Sequence, residues 1–247
     1  MLPPNRYYST AADALFLDFD GTLVDLAPQP ESVVLPVGLM TILQRLQSAA
    51  GGALAIVSGR PLEQIDSFLA PMVLAAAGVH GAERRRADGS VVRQPAPDTG
   101  FLLAHLSPFV NAHPGLRLEI KRGAVALHYR HAPQLEQLCI QVMSSALMGL
   151  DGVKLLHGKM VVEATSADVS KGDAVAAFMR EPPFAGRRPV YVGDDITDES
   201  AFSWAQSATA GGIGIKVGEG HSQARLRLAD PDALRNMLLE ALGAVSN

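Results

Sequence analysis

The stretch ALFLDFDGTLVDL, residues 14–26, constrains this chain more than any other. It begins with Ala14, Leu15, Phe16 and Leu17, and a short apolar run bounded by turn residues reads as a buried strand. Asp18 and Asp20 stand at its end, followed by Gly21 and Thr22. Two neighbouring carboxylates drawn out of water lose hydration and repel each other, so the fold must bring compensating charge to them. A spacing of two puts both on one side of an extended strand.

The pattern of an apolar run with a polar exit recurs. LPVGLMTILQRLQSAA aligns Leu39, Ile42, Leu43 and Leu46 on one helical face, and Gly51-Gly52 ends it. ALAIVSGR is a second buried strand that leaves Ser58, Gly59 and Arg60 at its exit. Pro61 opens a helix carrying Leu62, Ile65 and Leu69 on one side, and MVLAAAGVHG reads as a third strand. Towards the end come a helix SKGDAVAAFM with Lys171 near its start, a strand RPVYVG, the run DDITDESAF, a strand GIGIKVG and a helix DPDALRNMLLEAL. Strands alternating with helices predict an α/β fold, a doubly wound parallel sheet.

Between these halves the periodicity changes. Residues 84–100 are polar and marked by Pro and Gly, and Arg84, Arg85 and Arg86 read as a solvated run. A helix follows through Leu103 and Leu106, then two strands around an Arg122-Gly123 turn, in which Leu116, Leu118 and Ile120 alternate with polar residues. Period-two alternation predicts one buried and one open sheet face. A helix QLEQLCIQVMSSALM and the strand pair VKLLHGKMVVEA complete the block. The organisation expected is a core of residues 1–83 and 167–247, with an inserted α+β domain over 84–166.

With 247 residues, 48% hydrophobic and 19% charged, the chain has the material for one large or two modest globular domains. A net charge of -4 gives no basic footprint for nucleic acid. Cys139, the lone cysteine, excludes an internal disulfide and a multi-Cys zinc site, and its apolar helical setting makes it a core residue. No apolar run approaches the ~20 residues of a membrane span. The first ten residues lack a charged segment followed by an apolar one, so a cytoplasmic protein is expected. No Gly-rich loop ending in Lys-Ser/Thr is present, which disfavours a nucleotide-hydrolysing motor.

In open α/β sheets ligands bind beyond the carboxyl ends of the strands. The polar groups expected there are Asp18 and Asp20, Ser58 and Arg60, the Lys171 region, and Asp194, Asp195 and Asp198. Carboxylates gathered in this way can share a hard cation such as magnesium, which takes oxygen ligands and a substrate phosphate. One carboxylate of the Asp18/Asp20 pair can attack phosphorus while the other protonates the leaving oxygen. Gly21-Thr22 can turn N–H groups towards phosphate, and Lys171 near a helix start can neutralise charge. Asp195 and Glu199 also read simply as helix N-terminal acids.

DFDGTL, SGR, a lysine before a helix and GDDITDE, in that order, resemble the four motifs of the haloacid dehalogenase superfamily. The DxDGT form resembles its phosphatases. That resemblance implies a Rossmann-like core, with Asp18 as nucleophile and metal ligand and Asp20 as general acid/base with its carbonyl on the metal. It implies that Ser58 binds the transferring phosphoryl group, Lys171 stabilises charge, Asp194 binds magnesium and Asp198 supports the metal site. Gly21, Thr22, Gly59 and Arg60 are expected around the substrate.

GVHGAE, EIK, LHYR and HGKMVVE, taken with GDDITDE, are similar to motifs of the trehalose-6-phosphate phosphatases, over residues 14 to about 240. The inserted block then corresponds to a substrate-recognising cap. Glu119, Lys121, His128, Lys159 and Glu163 are expected to line the sugar side, with Arg130 beside them. On sequence alone the same strand residues also read as the wet face of an antiparallel pair, and His80 as either a loop histidine or a hinge-side ligand. The activity that resemblance implies is magnesium-dependent hydrolysis of trehalose 6-phosphate to trehalose and phosphate through an aspartyl-phosphate. The rivals are a phosphatase for another sugar phosphate such as sucrose phosphate, a phosphohexomutase, and a non-enzymatic phosphate-binding module.

Overall fold

The structure, a computed structural model, describes residues 7–27 and 29–243. Residues 1–6, on which part of the leader reading falls, lie outside the described residues. The chain divides into two compact units, one of residues 1–92 with 170–247 and one of residues 93–169.

The larger unit is built on β1 (Asp13–Leu17), α1 (Leu39–Ala49), β2 (Leu54–Val57), α2 (Leu62–Leu69), β3 (Ala75–Gly78), β4 (Glu83–Arg85) and β5 (Val91–Arg93). The chain returns to it, after the inserted unit, with three further strands of the same sheet and three helices. Its sheet has eight strands, with β1 at the centre; β2, β3, β4 and β5 run outward on one side of β1.

The smaller unit has α3 (Gly100–Ala112), β6 (Arg117–Lys121), β7 (Ala124–His128), α4 (Glu136–Leu147), β8 (Val153–Gly158) and β9 (Val161–Ser166). Its sheet order is β6-β7-β9-β8, antiparallel throughout. Alternate residues Val125 and Leu127 pack with Leu102, Leu106, Cys139 and Met143 from the two helices. Cys139 is a core residue, as its pattern indicated. Ile120, expected on the buried face, is instead 63% exposed, because β6 is an edge strand and Ile120 lies near its end.

The larger unit resumes with α5 (Lys171–Phe178), β10 (Arg188–Gly193), α6 (Glu199–Ala205), β11 (Ile213–Val217), β12 (Leu226–Leu228) and α7 (Pro231–Gly243). β10, β11 and β12 extend the sheet on the far side of β1, and the strands from β12 to β3 are parallel. β1 is buried along its whole length and serves two cores. Leu15 and Leu17 pack with α1, α2 and α7, while Ala14 and Phe16 pack with α5 and α6. This alternation is why the run reads as continuously apolar, as expected for a strand covered on both faces. The sheet order reverses between β1 and β10, so the carboxyl ends of these two strands flank the crevice where such folds bind ligands.

Two expectations are corrected. Residues 84–92, placed with the inserted block, hold β4 and β5 of the large sheet. Arg84 and Arg85 are buried rather than solvated: Arg84 makes a two-pronged ion pair with Glu181 at 2.7 and 2.9 Å, and Arg85 one with Asp66 at 2.6 and 2.7 Å. Among the described residues no helix is long and apolar enough to cross a membrane.

Candidate active site

Asp18 directly follows β1 and its N–H donates to the Val192 carbonyl of β10 at 2.9 Å, which fixes its backbone to the strand that carries the other acids. Lys171, the first residue of α5, donates from Nζ to Asp18 Oδ1 at 2.8 Å and to Asp198 Oδ1 at 2.7 Å. All three are removed from solvent, with exposures of 4% for Asp18, 3% for Lys171 and 0% for Asp198. Burial and the charge of Asp198 push the Asp18 carboxyl well above the usual range, and Lys171 opposes the shift. For Lys171, burial lowers the ammonium's affinity for its proton, but the two carboxylates outweigh that and the pKa is raised, so it stays charged.

Asp198 was expected to support the metal site, and its hydrogen bonds give that role a form. Oδ1 accepts from Lys171 and, at 2.6 Å, from the Tyr191 hydroxyl; Oδ2 accepts from the N–H groups of Asp194 and Asp195 at 2.9 and 2.8 Å. With both oxygens so engaged, Asp198 acts as a brace that sets the backbone of Asp194 and the ammonium of Lys171. Burial and the Asp198 charge raise the Tyr191 hydroxyl's pKa, which keeps it a donor. Asp195 caps the short turn ahead of α6 and accepts from the Ile196 N–H at 2.7 Å, the helix-terminal reading of that residue.

Asp18 Oδ2 and Asp194 Oδ1 converge on the Thr22 hydroxyl, each at 3.4 Å. Ligand oxygens of Asp18, Asp194 and Asp198 lie within 4.8 Å of one another. Against these carboxylates stand Lys171 and Lys216, whose ammonium donates to the Asp194 carbonyl. The donors are all oxygen and the acids outnumber the ammonium groups, so the residues fit a hard divalent cation such as magnesium.

Gly21 has φ +75°, and a Cβ there would sit 2.2 Å from Asp194 Oδ2. The position therefore needs glycine on both backbone and steric grounds. Gly21→Ala is expected to displace Asp194 and reduce kcat by about a hundredfold, with a stability loss of ~1–3 kcal/mol from the strained backbone. Steady-state kinetics together with thermal unfolding check this.

Ser58 and Arg60 follow β2. Ser58 is buried, and its Oγ accepts the Arg60 N–H at 3.1 Å. The Arg60 guanidinium is engaged by Asp20, with Nε to Oδ2 at 2.6 Å and Nη2 to Oδ1 at 2.7 Å. His80 is buried with φ +55°, its N–H donates to the Ser58 carbonyl at 3.0 Å, and its ring packs on Gly59, where a Cβ would lie 2.7 Å from Cε1. The structure thus brings together Asp18, Asp20, Gly21, Thr22, Ser58, Gly59, Arg60, His80, Lys171, Asp194 and Asp198 within the larger unit. Sequence reasoning passed over Tyr191 and Lys216. A lysine inside the apolar strand GIGIKVG was the signal available for the second.

The remaining expected residues lie in the smaller unit. Lys121 Nζ is 2.6 Å from Glu163 Oε2 and 3.9 Å from Glu119 Oε2, and His128 Nε2 is 2.9 Å from Glu119 Oε2. Ala126 pairs with Glu119 on one side and Glu163 on the other, so a small residue separates the two acids and leaves room for the lysine. Burial raises the Glu119 pKa, but the His128 hydrogen bond and the Lys121 charge outweigh it and hold the carboxyl below its ordinary value. Lys159 is exposed in the β8–β9 turn, and its carbonyl accepts from Arg130 at 3.4 Å.

A central parallel strand ending in a paired-aspartate turn, a buried lysine bridging two strand ends, and an acidic cluster after β10 define a hydrolase of the haloacid dehalogenase type. A solved haloacid dehalogenase-like hydrolase from B. subtilis has this fold, with a TM-score of 0.66 at 13% identity over 91% of this chain and 98% of that one. The trehalose-phosphatase family model matches residues 16–232, and the chain belongs to that family. It is 42% identical over 222 residues to the trehalose-6-phosphate phosphatase of Escherichia coli, covering 89% of this chain and 83% of that protein. It is 44% identical over 230 residues to a probable trehalose-phosphate phosphatase of Sinorhizobium fredii, covering 91% and 86%. A solved trehalose-6-phosphate phosphatase related protein superposes with a TM-score of 0.72 at 29% identity, covering 94% of this chain and 99% of that one.

Proposed function

We propose that this chain hydrolyses trehalose 6-phosphate to trehalose and phosphate, as the family to which it belongs and its relatives' names suggest. The observation that carries the chemistry is the buried Lys171 held between Asp18 and Asp198 at the crevice of the sheet. Because Lys171 engages Oδ1 of Asp18, Oδ2 is the oxygen placed to attack phosphorus. Attack forms the aspartyl–phosphate bond and breaks the ester bond, and Asp20 gives a proton to the departing sugar oxygen. Water then attacks the aspartyl-phosphate, Asp20 takes the water's proton, and Asp18 is regenerated. Ser58 holds a phosphoryl oxygen and Lys171 faces the charge that develops on the group; the Gly21 and Thr22 N–H groups, expected at the phosphate, donate instead to the Val24 and Phe19 carbonyls at 2.8 and 3.4 Å. Asp18, Asp194 and the Asp20 carbonyl would hold magnesium in this reading, which would supply neutralisation of phosphoryl charge.

The polar face carrying Glu119, Lys121, His128 and Glu163, with Arg130 and Lys159 nearby, is assigned to the sugar hydroxyls, which makes the inserted unit the recognition domain. Binding energy from these remote groups acts on kcat/KM of the natural substrate. An unpaired buried partner costs ~1–3 kcal/mol, so Glu119→Ala and Glu163→Ala are each expected to lose about ten- to a hundredfold in kcat/KM for trehalose 6-phosphate. A small aryl phosphate touches none of these groups, and its hydrolysis is expected to be retained. Equal losses on both substrates, or on neither, contradict the assignment of the sugar site.

A further inference from the structure

We propose that Arg60 is a positioning residue for Asp20, and that it acts on the acid rather than on the phosphoryl group among whose ligands the motif order places it. Its guanidinium is held from several directions. Two N–H groups grip Asp20 at 2.6 and 2.7 Å, and Nη1 donates to Gln64 Oε1 at 3.1 Å. The cation lies 5.0 Å from the ring centre of Phe68 and 5.8 Å from that of Phe19. Gln64 and Phe68 are four residues apart on α2, hence on one face, and both reach Arg60. Phe19 and Asp20 follow β1 and Arg60 follows β2, so two adjacent parallel strands deliver the pair.

Asp20 needs this support because its side chain is 30% exposed and its short stem allows several rotamers. Proton transfer requires the donor within about 2.6–3.2 Å of the leaving oxygen. A planar fork that bonds both carboxylate oxygens fixes the carboxylate's plane as well as its place. Each oxygen keeps a lone pair outside the fork, where it carries the proton that passes to the leaving group. The contribution of Arg60 therefore scales with how much the leaving group needs a proton. A sugar alkoxide needs one, and 4-nitrophenolate does not. The inference rests on the reading that Asp20 is the acid for a sugar leaving group.

The test is steady-state kinetics of Arg60→Met, Arg60→Lys, Asp20→Asn and the Asp20→Asn/Arg60→Met double variant. Substrates are trehalose 6-phosphate and aryl phosphates of graded phenol pKa, with inorganic phosphate as inhibitor. Methionine retains apolar packing between Phe19 and Phe68. Expected for Arg60→Met are a loss of about a hundredfold in kcat/KM on trehalose 6-phosphate, a kcat/KM on 4-nitrophenyl phosphate within about threefold of wild type, and a steeper dependence of kcat/KM on leaving-group pKa, because kcat/KM reports the first step, in which Asp20 is the acid, whereas kcat also falls wherever the shared hydrolysis of the aspartyl-phosphate limits turnover. Arg60→Lys recovers part of the loss, phosphate inhibition stays within about twofold, and the double variant is no slower than Asp20→Asn alone. Losses equal on every substrate, weaker phosphate inhibition, or additivity with Asp20→Asn overturn the proposal and make Arg60 a phosphate ligand. Should Arg60→Met not fold, Gln64→Leu loosens the fork with arginine retained. The same selective pattern at smaller size supports the proposal, and a uniform loss overturns it. If wild type fails on trehalose 6-phosphate, the substrate reading falls, while the aryl series still decides the role of Arg60.

Discussion

Replacing Asp18 with asparagine is expected to abolish turnover, by on the order of 10⁴-fold or more, while the fold is retained. The amide is nearly isosteric, so the N–H of residue 18 keeps its bond to the Val192 carbonyl and the amide oxygen can still accept from Lys171. It has no charge with which to attack phosphorus and is a weaker cation ligand. Because one of several buried like charges is removed, the folded state should not suffer, and burial together with the Asp198 charge already opposes ionisation of Asp18. Kinetics on trehalose 6-phosphate and on an aryl phosphate, with urea unfolding alongside, check both halves. Near-normal activity on either substrate would contradict nucleophilic attack by Asp18.

Lys171→Ala is expected to damage both activity and stability. The ammonium is the shared partner of Asp18 and Asp198, and all three groups are buried. Removing one partner of a buried ion pair leaves uncompensated charge, at a cost of about 3–5 kcal/mol. Activity should fall on sugar and aryl phosphates alike, since both pass through the same charged phosphoryl transfer. This distinguishes Lys171 from Glu119 and Glu163, whose loss should spare the aryl substrate. Equilibrium unfolding of the metal-free protein measures the stability term. A variant as stable as wild type would show that the surrounding charges are compensated elsewhere.

The parts of this architecture that were legible in the sequence are those with a local pattern. β1 declares itself because both of its faces are covered, and the acids declare themselves because they end an apolar strand. The glycine of DFDGTL marks a left-handed turn that only a residue without Cβ can make beside Asp194. What was not legible depends on partners far along the chain. Arg84 reads as solvated until Glu181, 97 residues on, is brought beside it, and Arg85 until Asp66 is. The brace at Asp198 could not be read from GDDITDE, because two of its four donors are the side chains of Tyr191 and Lys171. The same holds for Arg60, whose motif suggests a phosphate contact and whose engagement with Asp20 needs the register of β1 against β2. Ile120 was misplaced because alternation gives the face of a strand but not its distance from the edge of the sheet.

The central claim is tested most directly by phosphate release from a panel of trehalose 6-phosphate, sucrose 6-phosphate and glucose 6-phosphate, each with magnesium and with excess chelator. The account predicts that kcat/KM for trehalose 6-phosphate exceeds that for the other two by at least about tenfold, the weight of one or two sugar-hydroxyl contacts, and that chelation abolishes release. Equal or faster release from another sugar phosphate, or full activity after exhaustive chelation, would contradict it.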